Sequence, residues 1–377
     1  MCSVISLPYG RHMAQVTISR PTTYRAAIIG TGFMGRVHSH AIAVAGGSVA
    51  GIAGSTPERA REAAEALRAE AVFDDLGALI DAADVVHVCV PNHLHAPIAL
   101  AAIAAGKHVV CEKPLATDVA AAAAMTEAAA DAGVVAAVPF VYRFHPMVRE
   151  ARARVAAGQV GRLTLAHGSY LQDWLLRPGD DNWRVDADKG GALRAFGDIG
   201  SHWCDLLEFV TGDRITAVNA QLATANRRRS GRDVSTEDIV TLQFTTAAGM
   251  IGSTVVSQVS AGRKNRLLLE ISGTEATLAF DQERPETLWV GGREGNADLM
   301  RDPEHLSPDA ARLATVPAGH AQGYQDCFNA FVADTRAAIA GAAPDGLPVF
   351  ADGLRAARIA AAVEASARTR DWAEVDR

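Results

Sequence analysis

From Tyr24 onward, short runs that are apolar throughout alternate with stretches whose apolar residues recur at helical spacing. "RAAIIG", "SVAGIAG", "DVVHVCV" (Asp84–Val90, broken only by His87) and "HVVCE" read as strands, and "VVAAVPFV" reads as a sixth strand of the series. The intervening helices are "PERAREAAEALRA", with Pro57 in its first turn, "LHAPIALAAIAAG", closed by Gly106, and the alanine-rich stretch from Val119 to Ala132. Strands apolar on both faces, joined by helices, predict a parallel sheet covered on both sides.

After about residue 143 the pattern changes. One helix ("HPMVREARARVAAG") precedes the strand-like runs "RLTLAHGSYL", "ITAVNAQLATA", "DIVTLQF", "MIGSTVVSQVS", "RLLLEISG" and "ATLAF". The connections "TAAGM" and "SGTEA" are of hairpin length. A last helix, "ADGLRAARIAAAVEASART", closes the chain. The expected architecture is an α/β protein in two parts. Residues 24–142 form a Rossmann dinucleotide-binding domain. Residues 143–377 form an α+β domain with a mostly antiparallel open sheet, for substrate binding and oligomerisation. Residues 1–23 read as a disordered leader, or as upstream sequence before a start at Met13. "RRRSGR" (Arg227–Arg232) reads as a solvated loop.

Composition narrows the function classes. The hydrophobic share of 49% and charged share of 21% are those of a globular protein. A net charge of -7 argues against general binding to nucleic acid or an anionic membrane. The longest uncharged apolar stretch, Ala132 to Tyr142, is too short to span a bilayer. The five cysteines (Cys2, Cys89, Cys111, Cys204, Cys327) are odd in number and form no C-x-x-C pair. Free thiols in a reducing cytoplasm are expected.

"IIGTGFMGRVH" places Gly30, Gly32 and Gly35 in G-x-G-x-x-G spacing between the first strand and the first helix. There the first glycine makes the tight turn, the second admits a pyrophosphate and the third lets helix and strand pack. Phe33 and Met34 lie in the same turn. An NAD site usually carries an acid at the end of the second strand. Here Gly54, Ser55 and Thr56 stand there, with Arg59 and Arg36 near enough to hold a 2′-phosphate. That reading favours NADP, with NAD as the alternative; Ser55 could also simply cap the following helix.

"FGDIGSHWCDLLEFVTG" sets Asp198 and His202 four residues apart. A helix starting at Ile199 would make Asp198 its N-cap and put His202 one turn on. "VVCEKPLATD" raises a separate question, since Glu112, Lys113 and Pro114 follow directly on a buried strand end. The carboxyl edge of an open parallel sheet is where ligands bind. "NHLH" offers His93 and His95, with His87 and His108 nearby, but no third ligand has metal-site spacing, and no metal is expected.

The Gly-rich turn, "CEKP", the antiparallel second half and "GDIGSH" together resemble the Gfo/Idh/MocA family (glucose–fructose oxidoreductase, inositol dehydrogenase and relatives) over about residues 24 to 370. "PNHLHAPIALAAIAAGKHVVCEKPLA" is similar to the family's long signature. The resemblance implies NAD(P)-dependent oxidation of a secondary alcohol on a sugar, glycoside or cyclitol, or the reverse. It implies Lys113, Asp198 and His202 as the catalytic group. It implies cofactor contacts from Pro91, Asn92 and His95 after "DVVHVCV", from Glu112, from Arg143 at the domain junction, and from Trp183 and Arg184 over the nicotinamide end. "YLQDW" (Tyr170–Trp174) resembles relatives acting on anhydrosugars or glycosides, so Gln172 and Trp174 join Tyr142 as substrate candidates. Two further readings follow from the same fold: a glycosidase with transient nicotinamide redox, and a non-catalytic dinucleotide-binding regulator. The open sheet face suggests a homodimer or homotetramer.

Taking a hydride from a secondary alcohol needs a base for the hydroxyl proton and a cation near the oxygen. An unperturbed histidine titrates near ~6.5 and a lysine near ~10.4. His202 is therefore the favoured base, with Lys113 polarising the oxygen and Asp198 orienting its partners. The roles of His202 and Lys113 could be exchanged.

Overall fold

The computed structural model describes residues 24–376, so the leader expected over 1–23 lies outside the described residues. The first part runs β1 (Arg25–Ile29), α1 (Phe33–Val44), β2 (Ser48–Ala53), α2 (Pro57–Ala63), α3 (Leu76–Asp81), β3 (Val85–Val88), α4 (His95–Ala104), β4 (His108–Cys111), α5 (Val119–Asp131) and β5 (Ala136–Ala137). The sheet is parallel, in the order β2-β1-β3-β4-β5. The order reverses between β1 and β3, which opens a crevice at their carboxyl ends.

Two expectations are corrected here. "VVAAVPFV" supplies only the two-residue β5, the fifth strand of this sheet and not a sixth. "PERAREAAEALRA" is helical only to Ala63. Beyond it Leu67 is fully buried, and Arg68 takes φ 53°. That turn brings the chain beside β2, where Val49–Ala69 and Ile52–Val72 form parallel bridges.

The second part runs α6 (Pro146–Ala156), β6 (Leu163–Leu171), α7 (Ala187–Gly190), α8 (Ser201–Thr211), β7 (Ile215–Ala223), β8 (Arg228–Arg229), β9 (Arg232–Asp233), β10 (Ile239–Thr246), β11 (Ile251–Ser257), β12 (Arg266–Gly273), β13 (Thr277–Asp281), β14 (Thr287–Gly292), β15 (Gly295–Met300), α9 (Pro308–Ala311), α10 (Tyr324–Ile339), α11 (Phe350–Thr369) and β16 (Ala373–Glu374). Its nine strands are ordered β15-β14-β13-β12-β6-β11-β10-β7-β16. Only β6 and β11 run parallel; the other pairs are antiparallel. Strand alternation sends Val240, Leu242, Phe244 and Leu267 into a core with Trp203 and Leu206 of α8. Leu165, Ile251 and Val255 point out from the opposite face and are exposed. "RRRSGR" is not a solvated loop throughout. It forms the β8–β9 hairpin, and Arg229 is fully buried against Asp238.

The two parts interlock. Phe328, Phe331 and Val332 of α10 share a core with Ala26, Ile28 and Val37 of the first sheet and its helix. Phe350 of α11 packs with Val109 and Met125. Among the described residues no helix is long and apolar enough to cross a membrane. The cofactor contact expected of Arg143 is corrected by its position. Arg143 sits in a 3-10 turn over Val141–Phe144 and lines a separate cavity of about 530 Å³. Its Nε donates to Asp205 Oδ2 at 2.9 Å and its Nη2 to Asp205 Oδ1 and to Asp352 Oδ1, the last at 2.9 Å. It therefore ties the start of the second part to α8 and α11. Removing one partner of a buried ion pair leaves an uncompensated charge. Arg143→Ala is expected to lose about 3–5 kcal/mol of stability, read as a lowered thermal midpoint, with cofactor affinity at the assay temperature unchanged.

Candidate active site

A cleft of about 1630 Å³ runs along the carboxyl edge of the parallel sheet and under the nine-stranded sheet. Its walls include Gly30, Gly32, Phe33, Met34, Ser55, Thr56, Arg59, Pro91, Asn92, His95, Glu112, Lys113, Tyr142, Gln172, Trp174, Trp183, Arg184, Asp198 and His202. Of the residues expected at the site, Arg143 and Gly35 alone are absent from its walls. Gly35 acts behind it: a Cβ there would stand 2.3 Å from Gly30 O. Gly30 itself has φ +111°, and its Cβ would stand 2.2 Å from Cys89 O. A Cβ on Gly32, by contrast, would meet nothing within 4 Å. Gly32 precedes α1 and offers no side-chain cap to it. These three positions fit a pyrophosphate lying on the helix N-terminus.

At the end of β2 it is Thr56, not Ser55, that caps α2, its Oγ1 accepting from Arg59 N at 3.3 Å. The Arg59 guanidinium returns to Ser55 Oγ at 3.3 Å. Arg36 lines the same cleft, as do Glu62 and Asp74. After β3, Asn92 reaches across to the second part and donates to Gly190 O at 2.8 Å. His95 is fully buried, its ring nitrogens 2.8 Å from Pro114 O and 2.9 Å from Val90 O. It clamps the loop after β3 to the segment carrying Lys113, where the Lys113–Pro114 bond is cis.

Lys113 Nζ donates to Asp198 Oδ1 at 2.8 Å and to Asp198 O at 2.7 Å, across 85 residues. Asp198 is not an N-cap. It lies inside a π-helical turn, Phe196–Gly200, that runs straight into α8. Such widened turns recur at functional sites. This one is held from outside: the Glu237 carboxylate accepts from Arg194 N and Phe196 N, both at 2.9 Å. Next to it Asp238 takes Arg194 and Arg229, and Arg229 also donates to Arg177 O and Asp180 O in the segment leading to Trp183. The second Asp198 oxygen accepts from Gln258 Nε2 at 2.8 Å, and Arg184 Nε lies 3.3 Å from the first. The Arg184 guanidinium sits 4.4 Å from the Trp183 ring centroid. Burial opposes a charge on Asp198, but Lys113 and Arg184 outweigh it and hold the carboxyl well below the usual range.

His202 follows one turn later and is buried between Phe140 and Tyr142, edge-on at 5.6 and 4.9 Å. Its Nδ1 has no partner among the described residues. Burial pushes the imidazole well below its ordinary value; Lys113 adds to this and Asp198 opposes it. The expectation of a histidine titrating near its ordinary value is therefore corrected: burial and Lys113 favour the neutral ring of His202 at pH 7. Beyond it the Tyr142 and Tyr170 hydroxyls bond each other. Asn265 Oδ1 accepts from Tyr170 Oη and from Gln172 Nε2, both at 2.8 Å, and Trp174 Nε1 donates to Gln172 Oε1 at 2.8 Å. Glu237, Asp238, Gln258 and Asn265 carried no motif. Only strand pairing, which sets β10, β11 and β12 around β6, brings them here. Among the described residues no group of three His, Cys, Asp or Glu could hold a metal ion.

The shift of His202 is directly measurable. In an NMR titration its ring should titrate below pH 6.5, moving up in Lys113→Met, which removes the opposing charge, and down in Asp198→Asn, which removes the favourable one. A midpoint near pH 6.5 that neither change moves would refute the reading.

Comparison with known proteins bears on both parts of the chain. Residues 24–140 match the oxidoreductase family with the NAD-binding Rossmann fold, and residues 148–279 match the GFO/IDH/MocA C-terminal domain. Levoglucosan dehydrogenase of Pseudarthrobacter phenanthrenivorans is 35% identical, covering 92% of this chain and 97% of that protein. A solved levoglucosan dehydrogenase in complex with NADH and levoglucosan superposes with a TM-score of 0.88 at 34% identity, covering 94% of this chain and 100% of that one. An inositol dehydrogenase homologue from Azotobacter vinelandii, complexed with NADH and myo-inositol, superposes at 0.84 with 25% identity, covering 93% and 97%. With the glycine turn, the E-K-P lysine and the Asp198–His202 pair gathered in one cleft, the chain belongs to the Gfo/Idh/MocA family of nicotinamide-dependent oxidoreductases.

Proposed function

We propose that this protein moves a hydride between NADP and a secondary hydroxyl of a pyranose-type sugar, an anhydrosugar or glycoside before a cyclitol. The observation that carries the reading is the Asp198 carboxylate holding Lys113, Arg184 and Gln258 beside a neutral His202. Bound along the cleft, the nicotinamide supplies the hydride acceptor. Lys113, fixed by Asp198, polarises the substrate oxygen; His202 takes the hydroxyl proton; Asp198 and Gln258 bind a neighbouring hydroxyl. Tyr142, Tyr170, Gln172, Trp174 and Asn265 set aromatic rings beside amide groups, which suits a ring with one apolar face and a rim of hydroxyls. The levoglucosan complex of the solved relative supports the same substrate class.

Arg59 and Arg36, with no carboxylate at 54–56, support NADP over NAD. The relatives solved with NADH make NAD the alternative. The exposed Leu165, Ile251 and Val255 on the open sheet face support self-association through that face, which light scattering would report as a mass above that of one chain.

The deciding experiment follows nicotinamide absorbance with levoglucosan, other anhydrosugars, glycosides and inositols, under NADP and NAD separately. Turnover of a pyranose-type substrate with higher kcat/KM for NADP is expected, and Arg59→Ala should lower the NADP value about tenfold while sparing NAD. Glycoside cleavage without net absorbance change would favour transient redox, and binding without turnover a regulator; either overturns the proposal. Higher kcat/KM with NAD overturns the cofactor assignment.

A further inference from the structure

Behind the cleft lies a chain of polar groups that the hydride transfer does not use. Glu112 lines the cleft beside Lys113 and is nearly buried. Its Oε1 is 2.9 Å from His38 Nε2, and its Oε2 accepts from Lys113 N at 3.2 Å. His38 Nδ1 is 2.8 Å from His87 Nδ1, and His87 Nε2 is 3.0 Å from Tyr24 Oη. Both histidines are fully buried, and Tyr24 is nearly so. Phe328 of α10 closes over His38 at 5.1 Å.

Proton counting fixes the direction of this chain. Two imidazole nitrogens in contact share one proton, so His38 and His87 cannot both be doubly protonated. Among the described residues, His87 Nε2 is the hydrogen-bond partner of the Tyr24 hydroxyl. The hydroxyl's own proton is paired only when it is donated to that nitrogen. His87 then donates from Nδ1 to His38 Nδ1, and His38 donates from Nε2 to Glu112. In this arrangement every group is paired, both histidines are neutral and Glu112 is a carboxylate. Protonating either Glu112 or His38 would turn an N–H of His87 against the Tyr24 hydroxyl and leave that hydroxyl's own proton unpaired in the interior.

We propose that Tyr24, His87 and His38 form a buried donor chain whose task is to hold Glu112 ionised under the nicotinamide end of the cleft, so that the site binds the oxidised, positively charged cofactor in preference to the reduced one. The two redox forms differ by one positive charge on the ring. A fixed carboxylate next to it therefore acts on one form and not the other. The three chain residues position and polarise; they touch neither cofactor nor substrate. Burial works against the Glu112 charge, but the His38 hydrogen bond, Lys113 and His95 bring its carboxyl below the usual range. Burial likewise pushes His87 well below its ordinary value, in keeping with a neutral ring. The other groups that act electrostatically with Glu112 are Cys111 beside it, Cys89 after β3 and Tyr324 on α10. Burial raises all three, so none of them ionises between pH 6 and 8.

The inference rests on the nicotinamide reading of the cleft, and binding separates the two. Dissociation constants for oxidised and reduced cofactor are measured by fluorescence between pH 6 and 8, without substrate, in the wild type and in His38→Leu, His38→Gln and Tyr24→Phe. His38→Leu should weaken the oxidised form relative to the reduced one by about tenfold at pH 6, with a smaller effect at pH 8. His38→Gln, whose amide can still donate to Glu112, should keep a near wild-type ratio. Tyr24→Phe, a single lost hydroxyl, should shift the ratio in the same direction as His38→Leu and serves if the latter does not fold. An unchanged ratio in His38→Leu and Tyr24→Phe, or equal loss in His38→Gln and His38→Leu, overturns the proposal. Failure of the wild type to bind either form overturns the nicotinamide reading itself.

Discussion

The site depends on one ion pair. Lys113 leaves the end of a strand in the parallel sheet, Asp198 sits in a widened helical turn under the antiparallel sheet, and the two meet at 2.8 Å. Both are largely desolvated, and such a pair is favourable only when its remaining hydrogen-bonding capacity is met. Here it is met. Asp198 also takes Gln258 and lies against Arg184, while the Asp198 main-chain carbonyl takes a second bond from Lys113. The pair thereby fixes the distance between two halves of the chain that are far apart in sequence. The cleft between them becomes a reaction site because that distance is fixed.

Charge in the cleft is graded. A carboxylate kept ionised by two cations lies beside a histidine kept neutral by burial, so the two sides of a proton transfer are already set apart. Aromatic rings around His202 supply the low-dielectric wall, and the Tyr170–Asn265–Gln172–Trp174 chain supplies the polar rim. Outside this, Glu237 and Asp238 hold the backbone of the Asp198 turn and the segment leading to Trp183. A substitution there would act on chemistry without touching substrate.

Much of this was legible in the sequence where a residue's meaning is local. Gly30, Gly32 and Gly35 announce a phosphate turn by their spacing; the structure shows the positive φ of Gly30 and the close approaches at Gly30 and Gly35, and leaves open space in front of Gly32. Lys113 stood out because a cation followed by proline at the mouth of a buried strand has no role in the sheet. Elsewhere meaning was not local. The helical spacing of Asp198 and His202 suggested a cap, because a π turn differs from an α turn only through contacts such as those of Glu237, 39 residues from Asp198. Arg143 lay near the junction in sequence, yet Asp205 and Asp352, each on a different helix, draw it away from the cleft. His87 looked like a flaw in an apolar strand, since its partners Tyr24 and His38 come from elements adjacent in space only. Burial lowered His202 below the value its residue type suggests, and burial is a property of the whole fold.

The central claim is that Lys113 and Asp198 act as one unit. A double-mutant cycle on kcat/KM, with Lys113→Met, Asp198→Asn and the combined variant, tests it most directly. The account predicts that the combined variant is about as slow as the slower single variant, because either change dismantles the same arrangement. Losses that multiply would show that the two residues contribute independently and would contradict it.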